Sequence, residues 1–530
     1  MGQTGEMMSE PKSLRNEAAA NVRMVLFVSG DASDATGFLL GLATHSILSS
    51  PGFQSPSRGI GSGDVDISEK PEISYGRIFR REVDMVLTTR ALAVLVIPAL
   101  LAPAAGARER GHDQSRPAEA QAAPQAEKPD PTLLLKIGNP RLKDKTMEVA
   151  LGGITAADTG AAVGFDRMIR GMAGSRFVYV GETHNSLPMH EIQFQVIRAL
   201  YAQSRELAIG MEMFPVTVQE TLNKWSLGLL TTEEFIREVR WYVNWNLNFG
   251  FYEKIFAFAK EHRIPVYALN IPREIITKIR MGGWDSLSED EKKFIPRAPD
   301  LANQDHRTLI RTIFEAAEIP HAMQGAGLDM VFEGLYRAQS AWDEVMAENA
   351  VRGAESEGRR IVVCAGSGHV LYNLGINRRA FEKSGQPFKT VIAIPVPGGR
   401  KPLEVSRAIA DYVFGIAEES RPAFPSIGLS FKKVEDLANL VIESKPIDGA
   451  ASRADFEKGD IVLTVDGKGY DDINELRIEL AKLKCGDEAR FRLLRGAQVK
   501  ETVLKLDKCP PAAPAEKKEA EAPALRRNRP

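Results

Sequence analysis

Four short apolar runs, each ending in a polar or glycine-rich turn, set the pattern of the chain between residues 177 and 369. Phe177-Val-Tyr-Val180 runs into Gly181-Glu182-Thr183-His184, and Leu207-Ala-Ile-Gly-Met211 runs into Glu212. Pro265-Val-Tyr-Ala-Leu269 ends in Asn270, and Ile361-Val-Val-Cys-Ala365 ends in Gly366-Ser-Gly-His369. Runs of this length, rich in β-branched and aromatic residues, read as buried strands. The intervals carry apolar positions three and four apart, which predicts helices over 188–202, 251–262 and 328–353; a last strand covers 389–396. Strands alternating with helices predict an α/β fold, a mostly parallel sheet covered by helices on both faces.

In open parallel sheets the carboxyl ends of the strands line a crevice where ligands bind. Glu182, His184, Glu212, Asn270 and His369 should therefore share one rim. Carboxylates and imidazoles together have the composition of a metal site or an acid–base site. Other residues keep two readings each. His190 and Gln193, one turn apart on a helix face, either extend the site or form a surface pair. Trp241, Tyr242, Trp245 and Phe249 suit the wall of a planar ligand or the core. His262 and His306 lie in charged helical stretches, which predicts solvated side chains. Cys364, inside an apolar strand, reads as packing, because a reactive thiolate needs an electropositive and accessible place.

The repeated Gly-x-x-His pattern, Gly181 to His184 and Gly366 to His369, with Glu182 and Glu212, resembles the superfamily that joins ChaN-like haem-binding proteins, Tiki proteases, TraB proteins and erythromycin esterases. Trp241 to Phe249, Tyr267 to Arg273 and Ala338 to Ala347 are similar to the ChaN branch, iron-regulated haem-binding proteins of bacterial envelopes. The resemblance covers roughly 131–419. It implies haem or iron as cofactor, held by Glu182, His184, Glu212 and His369 with Asn270, Arg273, Trp241 and Trp245 nearby. Arg273 would pair with a propionate or an internal acid. A divalent transition metal held by His184, His369, Glu182 and Glu212 is the other cofactor expectation. Hydrolases in the wider superfamily keep a second class open, a metal-dependent hydrolase in which Glu182 or Glu212 activates water. A non-catalytic periplasmic adaptor is the third.

Charge changes this picture little. Lys plus Arg number 68 and Asp plus Glu 70, a near balance that predicts no nucleic-acid partner. Residues 1–84 show no sustained periodicity and receive no fold. Residues 85–107 combine Met85 and Arg90, an apolar run from Ala91 to Ala105, and Ala105-Gly106-Ala107. A charged start, a short apolar core and a small-residue site describe a secretory signal peptide. The run is shorter than the ~20 residues of a membrane span, so no transmembrane helix is expected in the mature chain. Met85 is then the expected start, 1–84 a start-site artefact, and the protein periplasmic or secreted; a buried or interfacial segment is the other reading. With no cysteine near the cleavage point, a lipoprotein form is disfavoured. Residues 108–131, rich in Ala, Gln, Pro and charge, read as a flexible linker, followed by the α/β domain over 132–420.

Beyond a Pro-containing hinge at 421–425, Ser426-Ile427-Gly428-Leu429-Ser430-Phe431 resembles the carboxylate-binding loop of PDZ domains, and 450–467 resembles their most recognisable stretch. The likeness spans 426–508 and adds a small β-rich domain to the fold class. It implies that Ile427, Gly428, Leu429, Ser430 and Phe431 hold a peptide or protein C-terminus, with the peptide added as a strand beside a helix over 472–483. Ser430 stands where the family has a second glycine, and only Arg421 supplies a basic residue ahead of the loop. A module that packs on its own neighbouring domain is the other reading. Strands over 488–494 and 500–506 predict a hairpin about Gly496, with Cys485 and Cys509 nearly equidistant from the turn. In an exported protein that placement predicts a Cys485–Cys509 disulfide, leaving Cys364 free and buried. Residues 509–530 read as a disordered tail, and a homo-oligomer stays open.

Overall fold

The computed structural model describes residues 130–316, 326–356, 358–398, 401–419 and 423–507. The expectations for 1–84, 85–107, most of 108–131, Arg421, Cys509 and the 509–530 tail lie outside the described residues.

Eight strands make the larger sheet: β1 (Ile154–Ala156), β2 (Ala161–Ala162), β3 (Phe177–Glu182), β4 (Leu207–Pro215), β5 (Val266–Asn270), β6 (Arg360–Gly366), β7 (Phe388–Val396) and β8 (Tyr412–Ala417). Their order is β2-β1-β8-β7-β3-β6-β4-β5. From β8 to β5 every neighbouring pair is parallel, while β1 and β2 add an antiparallel edge. Side chains alternate across a strand, and here both destinations are apolar. Val178, Val180, Ile209, Met211, Val362 and Cys364 enter one core, and Phe177, Tyr179, Ala208, Ile361 and Val363 enter the other. That is why these strands read as continuous apolar runs.

Helices α1 (Leu187–Gln203), α2 (Thr232–Glu238), α3 (Trp241–Asn244) and α4 (Glu253–Glu261) cover the first face. Helices α5 (Gln304–Ala316), α6 (Ala326–Ser356) and α7 (Ile376–Ser384) cover the second. Pro188 stands in the first turn of α1, where its missing N–H costs no helical bond. Thr231 and Glu234 close a reciprocal capping box on α2. Among the described residues no helix is long and apolar enough to cross a membrane.

The second sheet is antiparallel, in the order β9 (Phe431–Lys433), β10 (Leu440–Ile442), β11 (Ile461–Val465), β12 (Glu488–Arg495) and β13 (Gln498–Lys505). Gly496 turns the β12–β13 hairpin at φ +61, a left-handed conformation that suits glycine. Helix α8 (Ile473–Ala481) begins at Asp472, whose carboxylate accepts the N–H groups of Asn474 and Glu475. One face of α8 packs on the first domain. Ile478 belongs to the first domain's apolar core, where α8 lies against α2 and α3, Asn474 Oδ1 accepts the Tyr242 N–H at 3.0 Å, and Arg240 and Arg237 pair with Asp472 and Glu475 at 2.8 and 2.9 Å. The ring of Phe424 meets Phe251 edge to face at 4.7 Å. The module therefore does pack on its own neighbour.

Candidate functional site

Strands β3 and β6 lie side by side, with Glu182 in register with Gly366, so the two Gly-x-x-His loops leave the sheet at the same point. Each loop's glycine makes room for the other loop. A Cβ on Gly181 would stand 3.0 Å from Ser367 Oγ and 2.9 Å from a Val370 methyl; one on Gly366 would stand 2.8 Å from His184 Cε1 and 3.2 Å from its Nε2. Both glycines are thus required by close approach.

Two buried charge clusters meet there, one on each face of the sheet. On the α1 face, His184 Nδ1 bonds Glu182 Oε1 at 2.9 Å, and His190 Nδ1 lies 3.0 Å from Glu182 Oε2. The Tyr252 hydroxyl donates to Glu182 Oε1 at 2.8 Å, and the indole N–H of Trp245 donates to that hydroxyl at 3.0 Å. Gln193 orders the far side, accepting from His190 and donating to the Val180 carbonyl. Burial opposes charge on Glu182, but His190 and His184 more than offset it and hold its carboxyl well below the usual range. Burial likewise opposes charge on His184 and His190, yet Glu182 raises both imidazoles.

On the α6 face, His369 Nδ1 bonds Asp343 Oδ1 at 2.6 Å, and its Nε2 lies 3.3 Å from Glu212 Oε1. Glu212 Oε2 accepts the Gly366 N–H at 2.6 Å. Gln339 also reaches His369 Nδ1, at 2.8 Å. Behind Asp343 stand His306 at 3.0 Å and Arg379 at 3.4 Å. Although burial works against its charge, His369 is pushed up to about 10 by Glu212 and Asp343. Burial opposes the charges of Glu212 and Asp343 too, but His369 outweighs it and lowers both carboxyls. For His306 burial wins over Asp343, and the imidazole is lowered.

The site thus unites Glu182, His184, Glu212 and His369 as expected, but as hydrogen-bonded pairs. Among the described residues no group of three or more His, Cys, Asp or Glu side chains is arranged to hold a metal ion, because the ligating atoms are turned onto one another. His184 Nε2 has no hydrogen-bond partner among the described residues, and His184 is 7% exposed. Asn270 serves the backbone instead: its amide donates to the Glu212 carbonyl at 3.2 Å, and its Oδ1 accepts the Ile271 N–H. Arg273 opens the next helix with its side chain at the surface.

The aromatic pair divides. Trp245 meets His184 edge to face at 4.7 Å, whereas Trp241 is fully buried among Phe214, Phe249 and Tyr252, its N–H spent on the Leu247 carbonyl. Trp241 is core, not wall. His306 corrects a second expectation: it is fully buried between α5 and α6, not solvated, while His262 is half-buried against Phe258. Asp343, His190 and Tyr252 are the residues that pattern reading assigned no firm role.

In the second domain Gly428 takes φ +76, and a Cβ there would lie 2.2 Å from the Asp448 carbonyl oxygen. The loop is pinned from behind by the Ala450 and Ala451 N–H groups, which donate to Ser426 and Ile427. Ser430 Oγ bonds Ser444 Oγ at 2.7 Å, which gives the residue replacing a second glycine a structural partner. Leu429 and Phe431 are buried. Cys364 is free and buried, and Cys485 is disulfide-bonded.

Residues 168–380 match the family model described as haem-binding uptake, Tiki superfamily, ChaN, and residues 425–506 match that of the PDZ domain. A curated relative, a probable periplasmic serine endoprotease DegP-like protein of Halomonas elongata, is 28% identical over 145 residues, covering 25% of this chain and 29% of its own. The chain therefore spans less than a third of that relative's length. Among solved structures, ChaN of Campylobacter jejuni with cofacial heme aligns with 18% identity and a TM-score of 0.40, over 49% of this chain and 95% of that one. The HtrA-type protease AlgW with a decapeptide aligns with 23% identity and a TM-score of 0.16, over 18% of this chain and 32% of its own. An erythromycin esterase in its open conformation aligns with 10% identity and a TM-score of 0.28, over 49% and 83%.

Proposed function

For a chain that joins a ChaN-type domain of the haem-binding uptake Tiki superfamily to a C-terminal PDZ domain, we propose an exported protein that binds haem at the rim of β3 and β6 and a peptide through its second domain. The observation that carries the haem reading is the state of His184. Its Nδ1 is held by Glu182 at 2.9 Å, while Nε2 has no hydrogen-bond partner among the described residues and the ring meets Trp245 edge to face. A metal-ligating histidine characteristically gives its other nitrogen to a carboxylate, which fixes the ring and its tautomer. These residues therefore fit a haem iron: His184 Nε2 would hold it, Glu182 with Tyr252 would fix the imidazole ring, and Trp245 would supply an apolar edge. His369 does not fit that role, since both its nitrogens face carboxylates.

Haem titration of the purified protein, followed by its Soret absorbance, tests this reading. Binding should fall at least about tenfold in His184→Ala, the equivalent of ~1.4 kcal/mol, and much less in His369→Ala. Equal binding by wild type and His184→Ala would reject it. Export rests on the charged start, apolar core and small-residue site of residues 85–107.

One observation favours a second reading. The Asp343–His369–Glu212 chain, with hydrogen bonds at 2.6 Å and contacts at 3.3 Å, orients an imidazole as a general acid or base would need. Hydrolysis of an ester or peptide that is lost in Glu212→Gln, with haem affinity retained, would move the assignment to that class.

A further inference from the structure

The groove of the second domain lies between α8 and β9, and the outer edge of β9 pairs with no strand among the described residues. Helical spacing sorts the residues of α8. Leu476 and Leu480 enter the second domain's own core, and Asn474 and Ile478 face the first domain. Arg477 lies between those two faces and turns across the groove. Its Nη2 donates to the Leu429 carbonyl at 3.3 Å, and its guanidinium carbon stands 5.8 Å from the centre of the Phe431 ring.

That carbonyl has a particular position. Carbonyls alternate in direction along a strand; Ser430 O accepts the Glu443 N–H on the inner side, so Leu429 O points to the free edge, where the N–H of an added strand would reach. Arg477 occupies that bond in the protein by itself. The guanidinium is poorly satisfied there: its Nε is buried with no hydrogen-bond partner. No carboxylate among the described residues lies within ion-pair distance, and Glu443 acts on it only at longer range. Burial accordingly lowers it to about 10. A half-buried cation whose Nε is out of water and which has no acidic partner within ion-pair distance is costly, and a carboxylate would relieve it.

We infer that Arg477 is the ligand-selecting cation of this groove, which takes an extended peptide bringing a carboxylate to the Leu429 end. The peptide's own N–H replaces the guanidinium on Leu429 O, and the guanidinium turns to the carboxylate, exchanging a neutral acceptor for a charged one. This rests on the reading of 425–506 as a peptide-binding domain. The carboxylate comes from a chain terminus or from an Asp or Glu side chain near it.

Fluorescence anisotropy on the full chain tests the inference with three labelled decapeptides of one Ala/Val sequence: a free C-terminal acid, its C-terminal amide, and an amide ending in Asp. Wild type should bind at least one carboxylate peptide about tenfold more tightly than the plain amide, as a charge-assisted bond predicts. Which of the two acids is preferred identifies the source of the carboxylate. Arg477→Gln should abolish the preference while retaining the weaker amide binding, and Arg477→Lys, which keeps the charge, should retain part of it. Equal binding of all three peptides by wild type, or an unchanged preference in Arg477→Gln, would overturn the inference alone. Binding of none of them would overturn the peptide-binding reading and the inference with it.

Discussion

Replacement of Asp343 by Asn tests whether the α6 half of the site is a charge couple or merely a set of packed polar groups. Asp343 is fully buried and touches His369, His306 and Arg379. The rise of His369 from 6.5 to about 10 corresponds to about 5 kcal/mol of preference for its protonated form. Glu212 and Asp343 together produce that rise against the opposing effect of burial, so removing Asp343 takes away a large part of it. Arg379, 1% exposed at its side chain, would be left with Glu344 at 3.6 Å as its nearest carboxylate among the described residues. Losing one member of a buried pair costs about 3–5 kcal/mol in general, so a loss of about 3 kcal/mol at pH 7 is expected in urea unfolding. The pH dependence supplies a separate readout. A raised imidazole contributes stability that is complete below its unfolded value near 6.5 and is lost as pH climbs through about 10. Asp343, lowered despite burial because His369 outweighs it, contributes stability present above its unfolded value and lost as pH falls through the folded one. Asp343→Asn should remove the acid limb due to Asp343 and bring the His369 limb toward neutral pH, with the imidazole titration followed by NMR. A variant within ~0.5 kcal/mol of wild type, with the same alkaline limb, would refute the charge-couple account.

Three further outcomes are expected. Gly366→Ala should displace His184, because the new methyl would stand 2.8 Å from its ring; haem absorbance should weaken more than the melting temperature, and unaltered binding would count against the packing argument. In non-reducing mass spectrometry of exported protein, Cys485 should be found joined to Cys509, with Cys364 unlabelled by thiol reagents until unfolding, as its complete burial requires; two free thiols at 485 and 509 would reject the pairing. A fusion that starts at Met85 should mature at or near Arg108 in the periplasm, and retention of full-length precursor in the cytoplasm would reject the export signal.

The strands that place the site were legible because each is apolar on both faces and its apolar run breaks at a glycine, an acid or an asparagine. Helix boundaries shifted by a few residues at most, α1 beginning at Leu187 and α6 at Ala326, since end turns carry little apolar periodicity. Asp343 was harder to read. It lies on α6 on the same stripe as Tyr336, Gln339 and Met346, of which Tyr336 and Met346 are fully buried; a carboxylate on such a stripe is the sequence signal, but its partner is 26 residues away in another element. His306 was misread for the same reason. Its neighbours Asp305 and Arg307 are polar, and only the packing of α5 against α6 takes the imidazole out of water. Trp241 and Trp245 are indistinguishable by composition, and the short helix between them turns one into the core and the other toward His184.

The placement of Ile478 within the first domain's core bears on how the protein comes apart. A boundary drawn near residue 420 from sequence likeness is not a seam between two independently wetted surfaces: severing it would bare Ile478 on one fragment and its apolar seat beside α2 and α3 on the other. Domains joined only by linkers melt separately, whereas domains that share buried apolar surface tend to lose structure together. Heating should therefore give one transition, not two, and a fragment ending at the boundary should self-associate through its uncovered seat.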